Sequence, residues 1–284
     1  MDTNKNLYTV VYATVLVVLV AAVLAFVSSS LKEKQQKNID VEKQQSILAS
    51  VELASEAGEV SDKISYVQGE FRKYVTDSYI VNGLGEKTEG DAFRVDLKGV
   101  YEAMKQIDAA SSDKAEELKS ALRLPVFECT MDNGEKVFIL SCYGAGLWGP
   151  IWGYVGIKDD FDTIYGANFS HKSETPGLGA EIANHAFSNQ FKNKTIFDGS
   201  LFTSIQIVKG GADSSNPHQV DAISGGTITS KSLEASIRQW FSHYLPFLSK
   251  SKEAAAVAQS EELAQKDEAA QEGANGGTDN TDNK

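Results

Sequence analysis

The sequence predicts an α+β protein: a single N-terminal transmembrane helix, then a soluble domain built on an antiparallel sheet with flanking helices. Three observations carry that expectation. Residues 6–31 are 26 consecutive positions with no ionisable group except two tyrosines. Two β-type runs, Val126–Met131 and Lys136–Cys142, flank the turn signal Asp132-Asn133-Gly134. Leu233, Ile237, Trp240, Phe241, Tyr244 and Leu248 recur at helical spacing and define one apolar face.

The first element is the anchor. Its centre, Val10–Val27, is almost wholly Val, Leu, Ala and Phe, and about 20 such residues in a helix span the ~30 Å hydrocarbon core of a bilayer. Signal-peptide apolar regions are shorter, roughly 7–15 residues, and end in small-x-small sites that Ser28–Ser30 imitate only loosely. Lysines flank the span on both sides, with Lys5 before it and Lys32, Lys34 and Lys37 after it. A strict count puts the C-terminal side in the cytoplasm, but large domains cross regardless of so small a bias.

Lys32–Gln45 is a polar, helix-compatible stalk, followed by an amphipathic pattern at Ile47, Leu48 and Val51. Ile64, Val67, Phe71 and Val75 are spaced for a second helix. Alternation at Phe93, Val95 and Leu97 suits a short strand, and Tyr101–Leu124 reads as helix or connection. If Asn133-Gly134 is a two-residue loop, Cys129 faces Phe138. The two thiols of Cys129 and Cys142 then share a face about 13 Å apart, too far for a disulfide, and both are expected buried and reduced. Gly144-Ala145-Gly146-Leu147-Trp148-Gly149 fits GxGxxG, yet a dinucleotide fingerprint must open a helix, and Pro150–Ile157 reads as a strand. Further on, Ile182–Phe191 is helix-like and Leu201–Val208 reads as one strand. Pro246 marks the last turn of the helix after Thr227.

Composition divides the chain into an anchor (1–31), a stalk with an N-terminal α/β portion (32–124), a core domain (125–250) and an acidic tail (251–284). The tail reads as a frayed helix over Glu253–Gln271 and then disorder, since it has no aromatic residue to offset its ordering entropy. It holds −5 of the formal charge of −12, so the rest is only mildly acidic. That balance excludes nucleic acid as a partner. Two cysteines are too few for an iron–sulfur or structural zinc site, and the four histidines lack ligand spacing. No nucleophile-elbow motif supports hydrolase chemistry.

Two Gly-rich segments remain: Glu174-Thr175-Pro176-Gly177-Leu178-Gly179, and Asp221–Ser230 directly before the amphipathic helix. Consecutive glycines let backbone N–H groups converge on an anion, and a helix N-terminus adds the positive end of its dipole. Ser224, Thr227, Thr229 and Ser230 supply hydroxyls there. The same residues also suit an ordinary Gly-rich turn with a Ser/Thr cap, and spacing does not choose between the two.

Asp221-x-x-Ser224-Gly225-x-Thr227 resembles the flavinylation motif of FMN-binding domains, in which a flavin transferase esterifies the phosphate of FMN to the last Thr or Ser. Glu174–Gly179 is similar to a second hallmark of those domains and Lys209-Gly210-Gly211-Ala212 to a third. With the anchor and the GLWGPIWGYVG stretch, residues from about Asn4 to Leu248 resemble the C subunits of Na+-translocating NADH:quinone oxidoreductases. The G subunits of Rnf-type ferredoxin:NAD complexes share the anchor and the flavinylated Thr. A reversible module for a phosphorylated ligand is the alternative from another class.

The resemblance implies an electron-carrying subunit with covalent FMN on Thr227, and makes 125–250 the FMN-binding domain. Gly225 and Gly226 would admit the phosphate, Gly226 standing where most relatives have Ala. Thr175, Leu178 and Gly179 would line the isoalloxazine, beside Glu174, Gly177 and Lys209. Asp221 and Ser224 would serve recognition by the transferase. Trp148 or Trp152 is placed near the ring or, more simply, in the core. The expected partners are the other subunits of a Na+-pumping membrane complex. The expected location is the bacterial inner membrane, single-pass, with the domain on the periplasmic side.

Overall fold

The computed structural model describes residues 6–275. Helix α1 runs unbroken from Asn6 to Ala49, so anchor and stalk are one rod. Its uncharged part covers about 39 Å at 1.5 Å per residue, enough to cross a bilayer core. Apolar side chains from Leu7 to Leu31 stand exposed, whereas Val41, Ile47 and Leu48 near its end are buried against the domain.

Asp62 caps α2 (Lys63–Tyr74), its side chain accepting Ser65 N at 3.1 Å. The chain passes directly into β1 (Val75–Val81), which the sequence pattern did not reveal because Thr76, Asp77 and Ser78 are consecutive exposed polar residues. After β2 (Lys87–Thr88) comes a departure from the expected strand at Phe93–Leu97. A 3-10 turn, Ala92–Arg94, leads instead into α3 (Leu97–Asp108). Two aspartates decide this: Asp91 accepts Phe93 N and Asp96 accepts Lys98 N, and each starts a helical turn. Helix α4 (Ser112–Ala121) completes the Tyr101–Leu124 stretch as helix rather than loose connection.

Strands β3 (Leu124–Thr130), β4 (Lys136–Ala145), β5 (Pro150–Lys158) and β6 (Ile164–His171) complete a sheet of order β2-β1-β3-β4-β5-β6, antiparallel throughout. The strand β5 after Gly149 confirms that the GxGxxG stretch opens no helix. β1 pairs with β3 along its length, so portions 32–124 and 125–250 contribute to one sheet.

The β3–β4 hairpin differs from expectation by one residue. Met131 N bonds Glu135 O, leaving a three-residue loop with Gly134 at φ 83°, and Cys129 faces Val137 instead of Phe138. A one-residue slip exchanges faces. Cys129 therefore packs on one side of the sheet with Val137 and Ile139, and Cys142 on the other with Phe138 and Leu140. Both thiols are free and buried, and burial pushes each up to about 12.

The expected helix at Ile182–Phe191 is three short pieces: 3-10 turns Gly179–Ala183 and Asn189–Phe191 around α5 (His185–Ser188). β7 (Phe197–Asp198) pairs with β8 (Leu201–Phe202). The expected single strand Leu201–Val208 breaks at Ser204, φ 62°, and resumes as β9 (Gln206–Val208), which pairs in parallel with β10 (Gln219–Asp221).

Helix α6 runs from Thr227 to Asn275, so Pro246 does not end it. Proline removes one backbone donor, but buried Tyr244, Phe247 and Leu248 hold the helix against the sheet on both sides of that position. The tail helix is its continuation, tied back where Lys252 Nζ meets Asp162 Oδ2 at 2.8 Å. The disorder expected after Gln271 does not hold for residues 272–275, which continue α6, and otherwise falls on residues 276–284, outside the described range.

Candidate functional site

The first residues of α6 close a pocket of about 250 Å3. Gly225 turns the chain into the helix at φ 74°, a conformation open to glycine, and Leu178 packs where its side chain would be. Gly226 follows, buried. A methyl group there would meet Ile223 Cγ2 at 2.9 Å, so this loop fills the space an alanine needs. The helix start leaves unpaired N–H groups and the positive dipole end, about half a charge, at the pocket.

The four hydroxyls of this segment separate by role. Ser230 Oγ accepts Ile223 N at 3.0 Å, fastening the loop to the helix. Thr229 Oγ1 donates to Glu174 Oε2 at 2.6 Å and is buried. Ser224 faces solvent, and Thr227 lines the pocket. Thus the expected residues Thr227, Gly225, Gly226, Glu174, Thr175, Leu178 and Gly179 converge on one cavity.

The other four expected residues lie outside its lining. Gly177 N donates to Glu181 Oε1 at 2.9 Å in the loop behind. Asp221 Oδ1 accepts Ala212 N at 2.6 Å, which folds the Lys209–Ala212 turn onto β10. Lys209, Asp221 and Ser224 are all exposed.

Two lining residues were not singled out, Leu147 and Ile228, while Thr229 was named only as a nearby hydroxyl and Trp148 chiefly as core. Trp148 is 66% exposed at the mouth of the pocket, so the core reading fails for it. Trp152 belongs elsewhere, in a separate groove with Tyr143, Tyr154 and Lys98. Leu147, Leu178 and Ile228 add further exposed apolar surface at the mouth. That groove, at 460 Å3, and another of 410 Å3 beside α3 are larger, but neither opens on the N-terminus of α6.

The cavity chemistry fits a phosphorylated aromatic ligand: helix-start amides and glycines for the phosphate, a hydroxyl, and an apolar rim for a ring. At about 250 Å3 it is below the ~300–1,000 Å3 usual for enclosing a ligand, so it would hold part of a flavin and leave the rest at the open mouth. Among the described residues no cluster of His, Cys, Asp and Glu could hold a metal ion.

Residues 146–242 match the family model of the FMN-binding domain. The C subunit of a Yersinia pestis Na(+)-translocating NADH-quinone reductase is 31% identical over 252 residues, 87% of this chain and 93% of that protein. Its Vibrio anguillarum counterpart is 29% identical over 254 residues, 87% of this chain and 96% of the relative. The crystal structure of the same C subunit from Parabacteroides distasonis superposes with a TM-score of 0.63 at 39% identity, covering 77% of this chain and 96% of that one.

Proposed function

The chain belongs to the family of C subunits of Na(+)-translocating NADH-quinone reductases, and on that premise we propose that it holds FMN covalently, by a phosphoester to Thr227 Oγ1. The observation that carries this reading is Thr227 itself: it is the first residue of α6, behind Gly225 and Gly226, and its pocket has an apolar rim. Bound FMN supplies electron transfer, which the protein only positions and tunes. The chain is accordingly a redox subunit working beside the other subunits of its complex.

Thr227 Oγ1 would hold the flavin through its phosphate, taking the place of the leaving group of an activated flavin donor. The hydroxyl proton is released. A flavin transferase brings the donor, and exposed Asp221, Ser224 and Lys209 offer it a surface. The product is a diester with one negative charge, against about −1.5 to −2 for a monoester, which suits a helix start without an arginine. Gly225 and Gly226 would let the loop backbone close up to the helix start that receives the phosphate. Thr175, Leu178 and Gly179 would face the ring, and Glu174 and Gly177 would shape the loop that carries them.

We place the domain on the periplasmic side of the bacterial inner membrane, held by α1, in a complex that pumps Na+. The test is a denaturing gel of the full chain co-expressed with a flavin transferase. A fluorescent band is expected in the wild type and none in Thr227→Ala. A wild type that is dark in SDS but yellow when native would mean reversible binding, and one dark in both would remove the flavin reading. A reporter fused near Ser251 reads the side.

A further inference from the structure

We propose that Glu174 is a positioning residue of this site: its carboxylate clamps the Gly146–Gly149 loop to the first turn of α6, setting Trp148 and Thr227 in register. Glu174 Oε1 accepts the backbone N–H of Trp148 at 2.8 Å, and Oε2 accepts the Thr229 hydroxyl at 2.6 Å. These partners are 26 and 55 residues away in the chain, so one side chain ties three separate segments together. Both oxygens are acceptors, and the side chain is buried.

The surroundings are cut to fit that carboxylate. A Cβ on Gly146 would lie 2.5 Å from Oε1, and one on Gly179 would come closer still to Oε2. Any side chain at either glycine would displace the carboxylate. The adjacent Ser173 closes the grip from the other side, its hydroxyl donating to Trp148 O at 2.8 Å. Trp148 therefore has both backbone groups held while its indole stands exposed at the pocket mouth. Thr229 is two residues from Thr227, so the same carboxylate fixes the helix turn that presents the acceptor hydroxyl.

The proposal rests on the flavin reading for its purpose, and its geometry is tested without flavin. In the full chain purified from cells lacking a flavin transferase, Glu174→Ala should speed amide exchange at Trp148 by roughly tenfold or more, as expected for losing a hydrogen bond to a charged group. Glu174→Gln should restore near-wild-type exchange, because its carbonyl still accepts Trp148 N–H and Thr229 can rotate to accept from the amide. With a transferase present, the fluorescent band should form about tenfold more slowly in Glu174→Ala and at close to the wild-type rate in Glu174→Gln. If Glu174→Ala fails to fold, Gly146→Ala, whose Cβ would lie 2.5 Å from Oε1, is read at the same amide, with faster exchange expected. Unchanged exchange at Trp148 overturns the clamp, and fast exchange with undiminished attachment overturns its positioning role. A dark wild type fails the flavin reading, leaving the clamp to be judged on exchange.

Discussion

The two faces of the six-stranded sheet are each covered by a long helix, and the helices arrive with opposite ends. On one face α6 buries Trp240, Phe241 and Tyr244, and its N-terminus meets the Gly-rich loop. On the other, the last turn of α1 buries Ile47 and the turn that follows buries Val51. Both faces are apolar, yet among the described residues the pocket at a long helix's N-terminus forms at the first. A helix N-terminus offers unpaired N–H groups and positive potential, and a C-terminus offers carbonyls and the reverse. Helix polarity, more than burial, thus separates the face suited to a phosphate from the face that leads to the membrane.

The largest test of that contrast is Trp240→Ala. Trp240 is fully buried, and its Nε1 donates to Tyr143 O at 2.7 Å. Truncation should cost about 3–5 kcal/mol, read by denaturant unfolding of the full chain in detergent. It should also lower flavin attachment, because α6 seats the pocket. Ile47→Ala, on the opposite face, should cost somewhat less, about 2–5 kcal/mol. Under native conditions it should leave Trp148 exchange and the fluorescent band unchanged. Equal damage to the pocket from both variants would break the comparison.

Much of this arrangement is legible in the sequence where periodicity is strong. The anchor, the β3–β4 hairpin and the Leu233–Leu248 face follow from apolar spacing alone. What spacing misses has local physical causes. Gly134 accepts a left-handed backbone that lengthens the hairpin loop by one residue and sends the cysteines to opposite faces. Asp91 and Asp96 cap helical turns where alternation suggested a strand. Pro246 sits inside a helix that packing holds together. At the site, Gly-rich composition left an anion site and an ordinary capped turn both open, and only resemblance singled out Thr227. The bridging role of Glu174 joins residues distant in sequence, which no pattern read along the chain reveals.

The next expected effect is a pH dependence on the pocket face. His243 of α6 is buried, and burial lowers its pKa below the usual 6.5, opposed by Asp108, whose Oδ1 is 3.2 Å from Nε2, while Lys119 reinforces the shift. The folded state then holds the imidazole neutral more strongly than the unfolded chain does. Stability from this group is present above pH 6.5 and declines as pH falls from there through the lowered folded value. Unfolding midpoints taken from about pH 7.5 to 5 should show that slope, and His243→Phe should flatten it.

The smallest effect belongs to the membrane-side face. Asp40 of α1 receives Arg94 in a two-pronged contact, 2.8 Å to Oδ1 and 2.9 Å to Oδ2, which holds its carboxyl below the usual carboxylate range. A depressed carboxylate pKa stabilises the fold at neutral pH, and that contribution is lost as pH falls through the folded value. Arg94 is 55% exposed, so water and salt screen the pair. Arg94→Ala should lower the unfolding midpoint only slightly, and most visibly at low salt. The difference should shrink at about 1 M salt, where the screening length falls to about 3 Å. A larger, salt-insensitive loss would mean that α1 is fixed to the domain by Arg94 rather than by the apolar contacts of Ile47, and the comparison of the two faces would need a charged clamp on the membrane side as well.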